Sequence, residues 1–239
     1  MKRLMIPLLL MVSASAAAEQ MRHSMHHGYF YGLQADALEY RYGDSGEELG
    51  YWSTEAWWGT DELKALWLSE AEYSFDHDSW ETLDNRLALQ TPVSDFIDLR
   101  GGLRFDTPDG ENRQYAFVGL NGLLPYWLEM DSNLYLSEHG DLSMDIALEY
   151  ELLLTNRLHL TPELELDAAF SDDEAVGVGR GLSGMEAGLR LSYDLVDRSI
   201  VPYVGVHYER AFGRTAEFAA DEGEDRDGWF AVAGVRLAF

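Results

Sequence analysis

The chain has no cysteine, few basic residues and, beyond residue 18, no long apolar run. Without cysteine it has neither disulfides nor thiolate metal ligands. Its 17 Lys and Arg stand against 43 Asp and Glu. That balance excludes nucleic acid as a natural partner, because phosphate binding needs concentrated positive charge, and makes cations the natural partners of the field. No uninterrupted apolar stretch past residue 18 approaches the roughly 18 residues of a transmembrane helix, so a membrane crossing has to be made by strands. Phosphate-cradling glycine loops are missing too, since Gly177, Gly179 and Gly181 fall in an acidic segment that repels phosphate.

What is present begins with a compact targeting pattern. Met1, Lys2 and Arg3 supply positive charge, Leu4 to Val12 an apolar core, and Ser13 to Ala18 a run of small residues. This reads as a secretory signal peptide over 1–18, cleaved after the alanine triplet Ala16 to Ala18. Residues 19–29 form a short polar tail, and 30–239 the folded domain.

From Phe30 onward the chain divides into twelve segments of about ten residues with period-two alternation, near 31–42, 50–58, 63–75, 80–91, 95–106, 113–123, 125–137, 141–154, 157–170, 182–194, 199–212 and 228–239. Helical periodicity is absent throughout. Leu142, Met144, Ile146, Leu148, Leu152 and Leu154 share one face, with Ser143, Asp145, Glu149 and Glu151 on the other. Alternation alone fits a soluble sandwich as well as a membrane barrel.

Three features select an antiparallel transmembrane outer-membrane β-barrel of about 12 strands, with 10 or 8 as alternatives. Connectors alternate between short (59–62, 91–95, 123–125, 195–199) and longer, acidic ones (43–49, 106–113, 171–183, 213–228). Aromatics such as Tyr51, Trp52, Trp57, Trp58, Tyr126, Trp127 and Trp229 crowd segment ends, where interfacial girdles sit. Closure also removes the exposed edges that so many strands would leave. The last stretch, GWFAVAGVRLAF (228–239), has one wholly apolar face and ends on Phe239, in the manner of a closing barrel strand. Its apolar face is expected to meet lipid, and Arg236 to point into the lumen and meet a carboxylate.

Twelve strands enclose more space than apolar side chains alone fill. The polar parity carries Glu129, Asp131, Asp145, Glu149, Glu163, Glu165 and Asp167, with Glu55, Glu70, Glu72, Asp98 and Glu151, against Arg41, Arg86, Arg100, Arg104, Arg190 and Arg236. Such a lumen favours cations over anions. It is equally compatible with a plug of salt bridges that leaves no through-path.

The tail reads Met-Arg-His-Ser-Met-His-His over 21–27. Thioethers suit Cu(I) and imidazoles Cu(II), so Met21, His23, Met25, His26 and His27 form a candidate copper site in either oxidation state. A disordered linker with chance histidines is the plainer alternative. His159 beside Glu163 and His207 beside Glu209 are secondary metal candidates, whereas His77 and His139 fall at expected loop tips. Met130, Met144 and Met185 lie on the apolar parity as lipid-facing or packing residues.

The tail motif, LEYRYGD (38–44), LNGLLPYWLEMDSNLYLSE (120–138), the run from Leu148 to Leu195, PYVGVHYERAFGRTAEFA (202–219) and the terminal GVRLAF together resemble the copper resistance protein B family. The resemblance implies an outer-membrane barrel that binds copper and contributes to its sequestration or transport. It also implies a tail in the periplasm, and a periplasmic multicopper oxidase or copper carrier as partner. Members often carry a longer, repeated Met and His region, of which one short copy stands here. A general cation-permeable porin without copper specificity is the alternative. No enzyme is expected: His77 and Ser79 are neighbours, but a short loop supplies neither fixed geometry nor an oxyanion site.

Overall fold

The computed structural model describes residues 28–196, 198–223 and 225–239. Thirteen strands follow in order: β1 (Phe30–Gly43), β2 (Glu48–Gly59), β3 (Lys64–Ser74), β4 (Ser79–Pro92), β5 (Ile97–Asp106), β6 (Arg113–Leu124), β7 (Leu128–Ser137), β8 (Leu142–Glu149), β9 (Leu152–Leu153), β10 (Leu158–Ala169), β11 (Gly181–Tyr193), β12 (Ile200–Ala211) and β13 (Asp227–Ala238). β8 and β9 are two parts of one stave, so a closed antiparallel barrel of 12 staves results. Each strand follows an alternating segment of the sequence to within three residues at either end, except where β8 breaks.

That break has a local cause. β10 pairs with β8 from Glu163 to Ala169 and with β9 at His159 and Leu160, leaving Thr161 and Pro162 out of register pairing on that side. Pro162 has no N–H to give the ladder, and only its carbonyl is used, accepting from the Tyr150 N–H at 3.1 Å.

Closure runs through the seam between β13 and β1, paired from Gln34 opposite Ala238 to Gly43 opposite Phe230 with one register shift between Ala35 and Leu38. Phe239 donates its N–H to the Leu33 carbonyl at 3.0 Å and accepts the Leu33 N–H at 3.3 Å, so the terminal residue lies within the ladder. The apolar parity faces outward: Leu87, Leu89, Leu103, Val118, Leu134, Leu136, Val204 and Val206 are all exposed. A belt of that extent fits lipid, not water. No described helix is long and apolar enough to cross a membrane; the crossing is made by strands.

The end carrying both barrel termini has short connectors, such as 60–63 and 93–96. At the opposite end 44–47, 75–78 and 138–141 are also tight turns, while 107–112, 170–180 and 212–226 are long. The long acidic connector expected over 213–228 is present, but the expectation that helical periodicity is absent throughout is corrected by α1 (Gly213–Glu222) within it. Alanines at 216, 219 and 220 favour the helical state, and Gly223 closes it in the left-handed region at φ 86°, its N–H reaching the carbonyls of Ala219 and Ala220.

The interior is less uniformly polar than alternation implies. Leu66, Ala88, Phe117 and Tyr135 pack together on the lumenal parity with Trp57, Leu68 and Tyr115 against them. Leu49, Phe230 and Val232 form a second cluster beside the seam. Both put apolar mass inside the wall.

Candidate functional site

Lumenal side chains build a belt near mid-height. Glu39, its side chain fully buried, accepts from Arg190 at 2.8 and 2.9 Å and from Arg41 at 3.2 and 3.3 Å. Arg41 also pairs with Glu72 at 2.8 Å, and Arg190 with Glu163. The belt therefore joins β10, β11, β1 and β3. Arg41 lies 3.9 Å over the Tyr51 ring, whose hydroxyl donates to Glu70 at 2.6 Å.

From Glu70 the network continues through Arg86 (3.5 Å) to Asp84 (2.7 Å), then from Asp84 to Arg104 (3.2 Å) and on to Asp106 (2.6 Å). Tyr135 lies beneath both arginines, 5.7 Å from Arg86 and 4.9 Å from Arg104. Nearer the short-connector end, Arg100 meets Asp131 at 3.0 Å. Asn133 donates to Asp131 and to Asp145, each at 2.9 Å.

The wall made by β8, β10, β11 and β12 has a different balance. Glu165, Glu186 and Glu209 stand directly opposite one another on three successive strands, and Asp167 opposes Asp145. Among the described residues no Lys or Arg lies within ion-pair distance of Glu165, Asp167 or Glu209. Glu165 feels the charges of Glu186, Glu70, Asp167 and Asp145 together. Like charges set opposite each other repel, and uptake of a proton or of a cation relieves that repulsion. It borders a cavity of about 560 Å³ toward the long-loop end, lined also by Asp84, Arg104 and Tyr135.

The mouth above that cavity is partly covered. Asp173 receives two hydrogen bonds of 2.9 Å from Arg113, tying the 170–180 loop to β6. That pairing holds the Asp173 carboxyl below the ordinary carboxylate range. Thr215 of α1 accepts the Gly179 N–H at 2.9 Å and ties the helix to the same loop.

Asp145, Glu165 and Asp167 of the expected lumenal set stand on the carboxylate wall described above. Glu163 and Asp131 are paired as above, Glu149 meets Arg236 at 3.5 Å, and Glu129 lies within the field of Glu149, Arg236 and Glu151. Arg236 thus meets a carboxylate as its position in β13 implied. The two secondary histidine pairings differ from expectation. His159 contacts Asp194 (3.1 Å) and Glu151 (3.2 Å), not Glu163. Four residues along a strand span about 13 Å, and Glu163 is taken by Arg190. His207 lies 3.3 Å from Glu186 and 3.9 Å from Glu163, not on Glu209: its direct cross-strand partner is Gly188, itself opposite Glu163, and the missing side chain there leaves the imidazole room to reach across β11. His77 contacts the Ser74 hydroxyl at 3.2 Å, and the His139 N–H donates to Ser137 Oγ at 3.2 Å. Met21, His23, Met25, His26 and His27 lie outside the described residues.

Asp194 and Arg198 are functional candidates that sequence reading passed over, since 195–199 reads only as a connector. With Glu151, His159, Gln34 and Arg236 they line a second cavity of about 240 Å³ at the short-connector end. No group of three or more described His, Asp or Glu residues converges on one metal position.

A closed antiparallel barrel with a lipid-facing apolar belt and a net-acidic, water-accessible interior defines an outer-membrane β-barrel protein. Its fold is similar to the KdgM porin (TM-score 0.55, 11% identity, 87% of this chain and 99% of that one) and to the NanC porin (TM-score 0.52, 13% identity, 87% and 99%). At such identity the likeness shows the fold alone. The family described as copper resistance protein B precursor matches residues 29–239. The chain is 35% identical to copper resistance protein B of Escherichia coli, over 91% of this chain and 72% of that protein. It is 32% identical to the copper resistance protein B homolog of Pseudomonas syringae pv. tomato, over 95% and 75%. The chain belongs to the copper resistance protein B family, and its place is the outer membrane.

Proposed function

We propose that the protein binds copper and contributes to its sequestration or movement across the outer membrane. In this reading the 21–27 tail, on the periplasmic side, captures copper and exchanges it with the barrel, directly or through a periplasmic copper carrier or oxidase. The observation that carries it is the carboxylate wall of Glu165, Glu186 and Glu209, in which Glu165 and Glu209 have no described Lys or Arg within ion-pair distance and Glu186 has only His207 at 3.3 Å, in a chain of the copper resistance protein B family. Cations are drawn to that wall and anions are turned away. The absence of a three-ligand cage among the described residues suits transit through the lumen, since a permeant ion must be held weakly enough to leave.

The test is copper flux in liposomes holding the purified protein, with and without Ala at Met21, His23, Met25, His26 and His27. Reduced copper flux with unchanged sodium conductance supports the reading. Equal permeability to copper and other small cations, indifferent to the tail, would make the protein a general cation porin instead.

A further inference from the structure

His159 is 3% exposed, and its two ring nitrogens are in different situations. Nε2 is hydrogen-bonded to Asp194 at 3.1 Å. Nδ1 lies 3.2 Å from Glu151 Oε1 and completes no hydrogen bond. An ionised carboxylate only accepts, so the Asp194 contact places the proton of a neutral ring on Nε2. Nδ1 is then a lone pair facing a carboxylate oxygen inside the wall. Two donors that bind one metal at about 2.0–2.1 Å stand roughly 2.9–3.4 Å apart. The 3.2 Å between Nδ1 and Oε1 is that separation.

A cation already stands beside these atoms. Arg198 Nη2 is 2.8 Å from the same Glu151 oxygen, and its side chain is 61% exposed. Its Nε lies 3.7 Å from Asp194. Pairs this exposed hold weakly, so the guanidinium is a removable occupant. Around it the 240 Å³ cavity leaves room for further water ligands.

We propose that Glu151 and His159 form a half-site for a borderline divalent cation of the copper(II) class. Asp194 orients the imidazole as the second carboxylate does in carboxylate–histidine–metal triads, and Arg198 covers the site until the metal arrives. One imidazole and one carboxylate select Cu(II) over Cu(I) and over calcium. The choice of copper rests on the functional reading above; the position and donor set do not.

The test is Cu(II) titration and electron paramagnetic resonance of the full mature chain bearing Ala at Met21, His23, Met25, His26 and His27, so that the barrel is read alone. One bound Cu(II) with a single imidazole nitrogen is expected. His159→Gln should remove the nitrogen signature, and Glu151→Gln, at a more exposed position, should weaken binding. Asp194→Asn should weaken it about 10–100-fold, while Arg198→Ala tightens it. His139→Ala serves as the unaffected control, and folding of each variant is checked by heat-dependent gel migration. A tail-substituted protein that binds no Cu(II), or one whose nitrogen signature survives His159→Gln, overturns the half-site. If copper flux persists in a protein without this binding, the half-site falls and the transport reading stands. If binding at His159 is present without flux, the transport reading falls and the half-site stands.

Discussion

Replacing Glu39 with Gln keeps the shape of the side chain and removes the one charge that two arginines share. Glu39 is fully buried on its side chain and takes four hydrogen bonds, two from Arg190 and two from Arg41. The amide can accept on one oxygen only, and its NH2 confronts a guanidinium donor. Breaking a buried ion pair by removing one partner costs about 3–5 kcal/mol. Arg41 retains Glu72 and Arg190 retains Glu163, which places the expected loss at the lower end, about 3 kcal/mol. The measurement is equilibrium urea unfolding in lipid vesicles, followed by tryptophan fluorescence. Freed from Glu39, the two guanidinium groups relax along the wall, so ion conductance should rise in the same variant. A loss below about 1 kcal/mol, the range of solvent-exposed pairs, would show that lumenal water screens the belt and would refute the reasoning.

Two further outcomes are expected. Asp173 has its carboxyl lowered by Arg113, so the loop tether contributes stability above the ordinary Asp range near 3.9 and loses it as pH falls toward the lowered value; proteolysis of the 170–180 loop should be slow at pH 6 and fast near pH 3, and Asp173→Asn should make it fast at both. Leu134 faces outward on β7, so Leu134→Arg should cost about 2–4 kcal/mol in lipid-embedded unfolding, and a neutral result there would contradict a lipid-facing belt.

The staves were readable because each carries an alternation that a one-residue slip would invert. The segment expected at 157–170, with Leu158, Leu160, Leu164 and Leu166 opposite Glu163, Glu165 and Asp167, became β10 almost unchanged. α1 was not readable, because a ten-residue amphipathic stretch among acidic loop residues lacks the length at which helical period separates from noise. Lumenal partners were hidden for another reason. Arg190 and Glu39 are 151 positions apart, and only the curl of the barrel brings them together. The histidines were misassigned to same-strand neighbours because sequence shows spacing along a strand and not across it. Phe230 and Val232 share the parity of Arg236, but their packing with Leu49 depends on the seam, which spacing along the strand does not show.

The interruption between β8 and β9 opposite Pro162 has a mechanical meaning. A cylinder of ladder bonds with no free edge resists deformation as a hoop, sharing any load around its circumference. Removing rungs from one joint of the hoop creates a notch, and strain applied to the ring concentrates there. In this barrel the notch lies beside Glu151, so the ladder is weakened next to the cavity that holds His159 and Arg198.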